Sequence, residues 1–288
     1  MMRNYTHLPY LIDTHDYCRQ SAGNRALFVL AQTLSMTYRY EVFVTSQVKG
    51  PHAPFLKTAD EKTIAQIARE GVVIYPETNA GNKYDAKHVV RYLLNTPGFI
   101  RGDKSFPATE KIFAYSELLK EHLRDEKNIL TVPVIDRNAF LKFPIVPRSG
   151  ALVWKGKGKP VDVTPDPDAE AAREITFEWP ESWAALGGEF RSAEILYTYH
   201  TYTALIHEAR LCGCPVCIIP NGRFTRQQVH ESPPWDAGIA WGNTPTEIER
   251  ARRTVMFFHP DYDILLNNFP AQIRRFIHET QKGDAWIH

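Results

Sequence analysis

Three stretches of this chain carry residue types that could do chemistry. In the first, H-T-Y-T-A-L-I-H-E-A-R-L-C-G-C-P (residues 200–215), a single carboxylate, Glu208, lies inside a helical pattern. Ala204, Glu208, Leu211 and Cys212 fall on one side of that pattern, so Glu208 sits on or beside a buried face. An ionised carboxylate there needs a partner, because desolvating it unpaired is costly. It is either an internal ion pair or cap, or a ligand-facing group at the carboxyl end of a parallel strand, where open α/β sheets bind. The second stretch interleaves Lys155, Gly156, Lys157, Gly158 and Lys159. Glycine lets the backbone approach a ligand, and lysine brings a point charge suited to phosphate. A solvated basic loop is the competing reading. The third is the polar run of residues 13–24, where His15 and Asp16 could take a proton from a hydroxyl, or simply form a turn. Gly23 and Asn24 precede a helix whose amino terminus offers free N–H groups.

Cys212, Cys214 and Cys217 are also closely spaced. Clustered thiolates can bind zinc or exchange disulfides. Here Cys214 and Cys217 straddle a turn that runs into the apolar strand V-C-I-I-P, with no second Cys/His pair nearby, so buried small hydrophobes are the favoured reading.

The elements that must position these residues alternate between strand and helix. Apolar runs near residues 8–12, 41–45, 71–77, 111–116 and 128–135 read as strands, with helices at 25–34, 59–69 and 117–127 between them. Residues 76–98 read as a strand end, a polar loop and an amphipathic helix carrying Val89, Val90, Leu93 and Leu94. Such alternation implies a parallel sheet with crossover helices. Residues 136–149, with two prolines and little periodicity, read as a linker, placing a domain boundary near Arg148. Beyond it come strands at 151–154, 175–180, 195–199 and 216–220, a short strand near 238–242, and helices at 181–192, 204–212 and 246–258. A last helix covers residues 262–281. The expected domains are therefore 1–148, 149–258 and a C-terminal helical piece, 259–288.

With 288 residues, 43% of them hydrophobic, the chain can bury two ordinary cores. A net charge of +1 gives no global field for nucleic acid, which is not an expected partner. No run is long and apolar enough to cross a bilayer, and the first residues lack the parts of a signal peptide, so the expected location is the cytoplasm. Arg250, Arg252 and Arg253 form a basic run that reads as a solvated helix face. Attraction to anionic lipid would need a hydrophobic anchor, and the sequence alone does not identify one.

The 200–215 stretch resembles the nucleotide-sugar motif of GT-B glycosyltransferases, above all the retaining group whose donor site carries E-x7-E followed by A-x-x-x-G-x-P. Glu208, Ala209, Gly213 and Pro215 match its second half, while His200 stands where the first glutamate would be. Residues 76–98 resemble the amino-terminal half of bacterial glycosyltransferases of surface polysaccharide assembly. The resemblance implies two Rossmann-like α/β domains with parallel sheets facing a cleft, and a last helix that crosses back onto the first domain. It also implies glycosyl transfer from a nucleoside-diphosphate sugar to a glycan or lipid-linked acceptor, with peripheral attachment at the inner face of the membrane as a corollary.

By the same resemblance Glu208 binds the ribose, and Lys155, Gly156 and Lys157 hold the diphosphate with the helix start Thr201, Tyr202 and Thr203. His200 is the candidate for touching the sugar or its phosphate, with hydrogen-bonded structure at a strand end as the other reading, and Trp179 or Trp183 either stacks on the base or packs the core. Gly23, Asn24, His15, Glu77, Asn79 and Asn82 then lie on the acceptor side. Lysines and a helix terminus can stabilise the leaving diphosphate, and the sequence is read as offering no Asp-x-Asp pair to hold a divalent ion, so neither a metal nor a cofactor is expected. Two other readings are a nucleotide-sugar epimerase, which would need further carboxylates, and a non-catalytic subunit that binds nucleotide sugar or glycan, which the His200 replacement favours.

Overall fold

The structure, a computed structural model, describes residues 7–50, 53–140, 147–156 and 163–282. Its described residues form two compact units. One runs to Val134 and resumes at Leu266; the other is Ile135–Leu265. The first boundary thus precedes Arg148 by more than a dozen residues.

In the first unit the short run Tyr10–Ile12 (β1) is buried at every residue and pairs in parallel with two strands. The helix Ala22–Gln32 (α1) follows, capped by Ser21, then Val42–Val44 (β2) and Lys57–Thr58 (β3). Helix Glu61–Glu70 (α2) starts on Asp60, whose side chain accepts from Thr63 N–H, and it leads into Val72–Pro76 (β4). His88–Leu93 (β5) and Lys111–Ala114 (β6) complete the sheet, in the order β3-β2-β1-β4-β5-β6 with every pairing parallel. This is the doubly wound order of dinucleotide-binding folds. Leu11, Ile67, Ala68, Val73, Tyr75 and Val89 pack one of its cores.

Three expectations change here. The apolar run at 88–94 is a strand, because it lies between β4 and β6 and is buried on both faces; a run of that kind shows neither alternation nor helical spacing. Residues 117–127 give only a 3-10 turn at Glu117–His122. Residues 128–135 contribute one parallel bridge, Ala114 to Ile129, where Leu130 N–H donates to the Ala114 carbonyl at 2.8 Å.

The second unit opens with Ala151–Trp154 (β7). Then come Pro167–Ala171 (α3), Arg173–Glu174 (β8), Trp183–Ser192 (α4), Ile195–Thr198 (β9), Ala204–Leu211 (α5) and Val216–Ile218 (β10). Arg226–Glu231 (α6), Ile239–Trp241 (β11), Pro245–Thr254 (α7) and Phe258–Asn267 (α8) end it. The sheet order is β8-β7-β9-β10-β11, again all parallel, the other common doubly wound order. No strand forms at 175–180, where one was expected; β8 lies just before it and pairs only at 173–174. The chain then turns through a cis bond between Trp179 and Pro180.

Helix Phe269–Gln281 (α9) belongs to the first unit. The Phe276 ring meets Phe113 edge-on at 4.9 Å, the Thr280 and Tyr10 hydroxyls are 2.6 Å apart, and Gln272 accepts from Thr131 N–H. Among the described residues no helix is long and apolar enough to cross a membrane.

Candidate functional site

A doubly wound sheet opens a crevice at the carboxyl ends of the two strands whose connections leave on opposite faces. In the second unit those strands are β7 and β9. The loop after β7 carries Lys155 and Gly156; the loop after β9 carries His200 to Thr203. The two loops touch. Gly156 has φ +101°, and a Cβ there would stand 2.8 Å from the His200 Nε2 and closer still to Cδ2. Only a glycine lets that backbone lie against the imidazole. His200 is itself buried, its N–H donating to Thr198 Oγ1 at 2.9 Å.

Thr201 is buried and bonded to Asn221 Oδ1, while Asn221 donates to the Tyr199 carbonyl at 2.8 Å, so the loop after β10 is tied to the loop after β9. Tyr202 lies 6.0 Å from Phe224 between ring centroids, with the Arg223 guanidinium 5.1 Å from the Phe224 ring. Thr203 caps α5 by position but makes no side-chain cap bond, so its hydroxyl leaves the first-turn N–H groups of α5 to other acceptors.

Lys155 is engaged elsewhere. Its Nζ donates to Glu170 at 2.7 Å, and Glu170 also accepts from Tyr199. The Glu170 bond holds the Lys155 ammonium above its ordinary pKa and the Glu170 carboxyl below its own. Lys157 lies outside the described residues. Glu208 is 2% exposed, in the second turn of α5 on the face its spacing predicts. Cys212, Cys214 and Cys217 are buried free thiols whose pKa burial pushes up to about 12, which suits packing rather than metal or redox work. Trp179 carries the Arg173 guanidinium 3.6 Å over its ring, and Trp183 opens α4.

The chain does contain two Asp-x-Asp pairs. Asp166 caps α3, and Asn243 bonds both Asp166 and Asp168. Asp263 pairs with Arg137, and Asp261 faces the field of buried Arg210. Among the described residues no group of three or more His, Cys, Asp or Glu is arranged to hold a metal.

In the first unit the crevice strands are β1 and β4, and the residue that follows β1 is Asp13, which the sequence alone does not single out. It is 7% exposed. Its Oδ1 accepts from the Tyr84 hydroxyl at 2.6 Å and Lys83 Nζ at 3.3 Å, and its Oδ2 from the Asn79 amide. Burial, followed by the bond to Asp13, pushes the Tyr84 hydroxyl well above its ordinary pKa. The loop bearing Asn79 is pinned from below by Arg91, wholly buried in β5. Arg91 donates to the Asn79 and Gly81 carbonyls at 2.9 and 3.1 Å and pairs with Glu110 through two bonds of 3.0 Å.

The other acceptor-side candidates are bonded within their own loops and strand ends or stand beside them. Glu77 is buried and accepts from Leu94 N–H at 2.8 Å, tying the end of β4 to the end of β5. Asn82 turns inward to Tyr75 and Ala86. Asn24 folds the 14–18 loop through Cys18 N–H, Thr14 and the His15 carbonyl, and Gly23 lies close to Leu94. Asp16 accepts from Ser46 Oγ and from Gln47 and Val48 N–H at 2.9–3.0 Å, which makes it a loop anchor. His15 is exposed against Arg101.

No family model and no curated protein matches the chain. Among solved structures it is similar to Anabaena HepE in complex with UDP, at 12% identity and TM-score 0.50, over 95% of this chain and 99% of that one. It is also similar to the glycosyltransferase SnogD from Streptomyces nogalater, at 12% identity and TM-score 0.44 over 88% and 94% of the two chains. For UDP-GlcNAc 2-epimerase from Neisseria meningitidis bound to UDP-GlcNAc the values are 11% and 0.39, over 88% and 92%. The likeness to HepE, with the two all-parallel doubly wound sheets, gives the fold: two Rossmann-like units of the GT-B type.

Proposed function

We propose that the chain is a glycosyltransferase moving a sugar from a nucleoside-diphosphate donor to a glycan or lipid-linked acceptor, with the donor held by the second unit and the acceptor by the first. The observation that carries this reading is the bare Gly156 backbone laid against His200 at the β7/β9 switch point, beside the start of α5. Departure of a nucleoside diphosphate places negative charge on its terminal phosphate, and the enzyme must meet that charge with fixed donors. His200 and the α5 amides are such donors. Lys155 joins them where the phosphate displaces Glu170, and Lys157 is assigned the same role. Together they meet the charge without a metal. Glu208 is assigned to the ribose. HepE, a protein of like fold, was solved with UDP, which makes a uridine nucleotide the first donor to test.

On the acceptor side Asp13 is assigned the role of base in place of His15 or Asp16. If the transfer inverts, the proton of the acceptor hydroxyl passes to the Asp13 carboxylate. Asn79, Lys83 and Tyr84 hold the carboxylate in place for that transfer.

The test is thermal unfolding of the full chain with UDP, GDP, CMP, dTDP and their sugars, repeated on Glu208→Ala. A ligand at a hundred times its Kd adds about 2.7 kcal/mol of stability. Stabilisation by one nucleotide, lost in the variant, supports the reading, and none by any of them overturns it. Isomerisation of the donor sugar without an acceptor would instead identify an epimerase.

A further inference from the structure

The ion pair that diverts Lys155 lies at the switch point of the second unit. Lys155 follows β7 directly, next to the Gly156 that packs on His200. Its Nζ stands 2.7 Å from Glu170 Oε2 and 4.0 Å from Glu174 Oε2. The Lys155 and Glu170 side chains are 39% and 42% exposed, so water competes for both ends of the pair. A lysine on its flexible four-carbon stem can leave such a partner.

Glu170 has a fixed seat by comparison. Its Oε1 accepts from the Tyr199 hydroxyl at 3.1 Å, and that hydroxyl accepts in turn from Asp166 N–H at 2.9 Å, at the cap of α3. Ala169, the residue before it, is wholly buried in the core that holds Val153 and Tyr199. The two carboxylate oxygens are thus divided, one held by the residue that follows β9 and the other facing the ammonium. When Lys155 leaves, the carboxylate stays. The other acids of this turn are engaged among themselves: Asp166 accepts from Asp168 and Ala169 N–H, and Asn243 bonds both Asp166 and Asp168.

We propose, on the reading of the second unit as the donor site, that Glu170 takes Lys155 back after transfer and so speeds release of the nucleoside diphosphate. With the donor bound, Lys155 Nζ lies on the diphosphate while Glu170 keeps its bond to Tyr199. Once the sugar has left, the terminal phosphate carries up to one more negative charge and draws the ammonium more strongly than the donor did. A carboxylate seated within reach of the same ammonium offsets part of that gain. It lets Lys155 exchange phosphate for Glu170 Oε2 without passing through an unpaired state. No proton and no covalent bond moves in this exchange.

The experiment titrates inorganic pyrophosphate, a probe that does not depend on the base, and UDP into the full chain by calorimetry. It compares wild type, Glu170→Gln, Lys155→Gln and the double variant, and follows UDP release by stopped-flow displacement. Both side chains are well exposed, so unaltered thermal unfolding is the control. Glu170→Gln should tighten pyrophosphate about two- to fivefold, the worth of one exposed ion pair, and slow UDP release by a similar factor. In the Lys155→Gln background the same change should have little effect. Equal tightening in both backgrounds would mean plain repulsion between carboxylate and phosphate, and would overturn the proposal. So would an unchanged affinity in Glu170→Gln, or a gain that lies wholly in association. In those cases the donor site still stands, whereas a chain that binds neither pyrophosphate nor UDP loses both the donor reading and this one.

Discussion

Gly156→Ala strikes the contact on which the donor site rests, and two separate costs can be worked from the structure. The first is backbone strain: φ is +101°, where an L side chain is held at a cost of roughly 1–3 kcal/mol. The second is steric, since the new Cβ would stand 2.8 Å from His200 Nε2 and closer to Cδ2. The ring is buried and can yield only by leaving its rotamer or moving the loop, an overpacking cost of about 1–3 kcal/mol. Together they predict a loss of about 2–6 kcal/mol by urea unfolding. The double variant with His200→Ala separates the two, because removing the ring abolishes the steric part and leaves the strain. Gly156→Ala should then cost about 1–3 kcal/mol less in the His200→Ala background. Nucleotide stabilisation should be lost in the single variant. Costs below about 0.5 kcal/mol in both backgrounds, or strict additivity of the two substitutions, would refute the packing of this glycine on this histidine.

Asp13→Asn should lower the transfer rate by about 10²–10⁴-fold while leaving nucleotide-induced stabilisation intact, as measured by initial rates and thermal shift on the same preparation. Asp16, held below its ordinary pKa first by Val48 N–H and then by Ser46, should keep its loop anchored at neutral pH. For a depressed carboxyl the contribution is complete above the unfolded value and disappears as pH falls through the folded one. The Gln47 and Val48 amide resonances should therefore titrate with a midpoint below about 3.9, and a midpoint at or above that value contradicts the anchoring. Arg91→Met, which strands Glu110 in the sheet, should cost about 3–5 kcal/mol by urea unfolding, and Arg91→Met with Glu110→Gln should recover much of it. Finally, a thiol reagent at neutral pH should label Cys18 alone in the native protein and all four cysteines in denaturant, because the other three are buried with raised pKa.

What the sequence made legible is what a local window contains. The helix bearing Glu208 and the strands on either side of it were readable because a change of period marks each border, and β1, β2, β4, β6 and β7 were readable as short apolar runs between polar loops. Residues 88–93 were misread for the converse reason. A strand covered on both faces has no alternation to display, and its fully buried cation, Arg91, is matched by Glu110, which lies 19 positions away. The boundary near residue 134 was similarly hidden, because its evidence is which helix each strand packs against.

The candidate sites depend on information of another kind. Lys155, Gly156 and His200 were each visible, but the touching of Gly156 and His200 follows from the adjacency of β7 and β9, and so does the diversion of Lys155 to Glu170. In the run Asp13-Thr14-His15-Asp16, the histidine and second aspartate form the more familiar acid–base pair by residue type. The sheet gives the two aspartates different surroundings. Because β1 lies between β2 and β4, its last turn opens at the switch point and presents Asp13 to Asn79, Lys83 and Tyr84, whereas Asp16 has passed on to the β2 loop. Strand order thus separates the surroundings of two aspartates three positions apart. A chain of this fold is therefore best searched for its acid–base residue at the carboxyl end of β1 and of the strand across the switch point, before residue type is weighed.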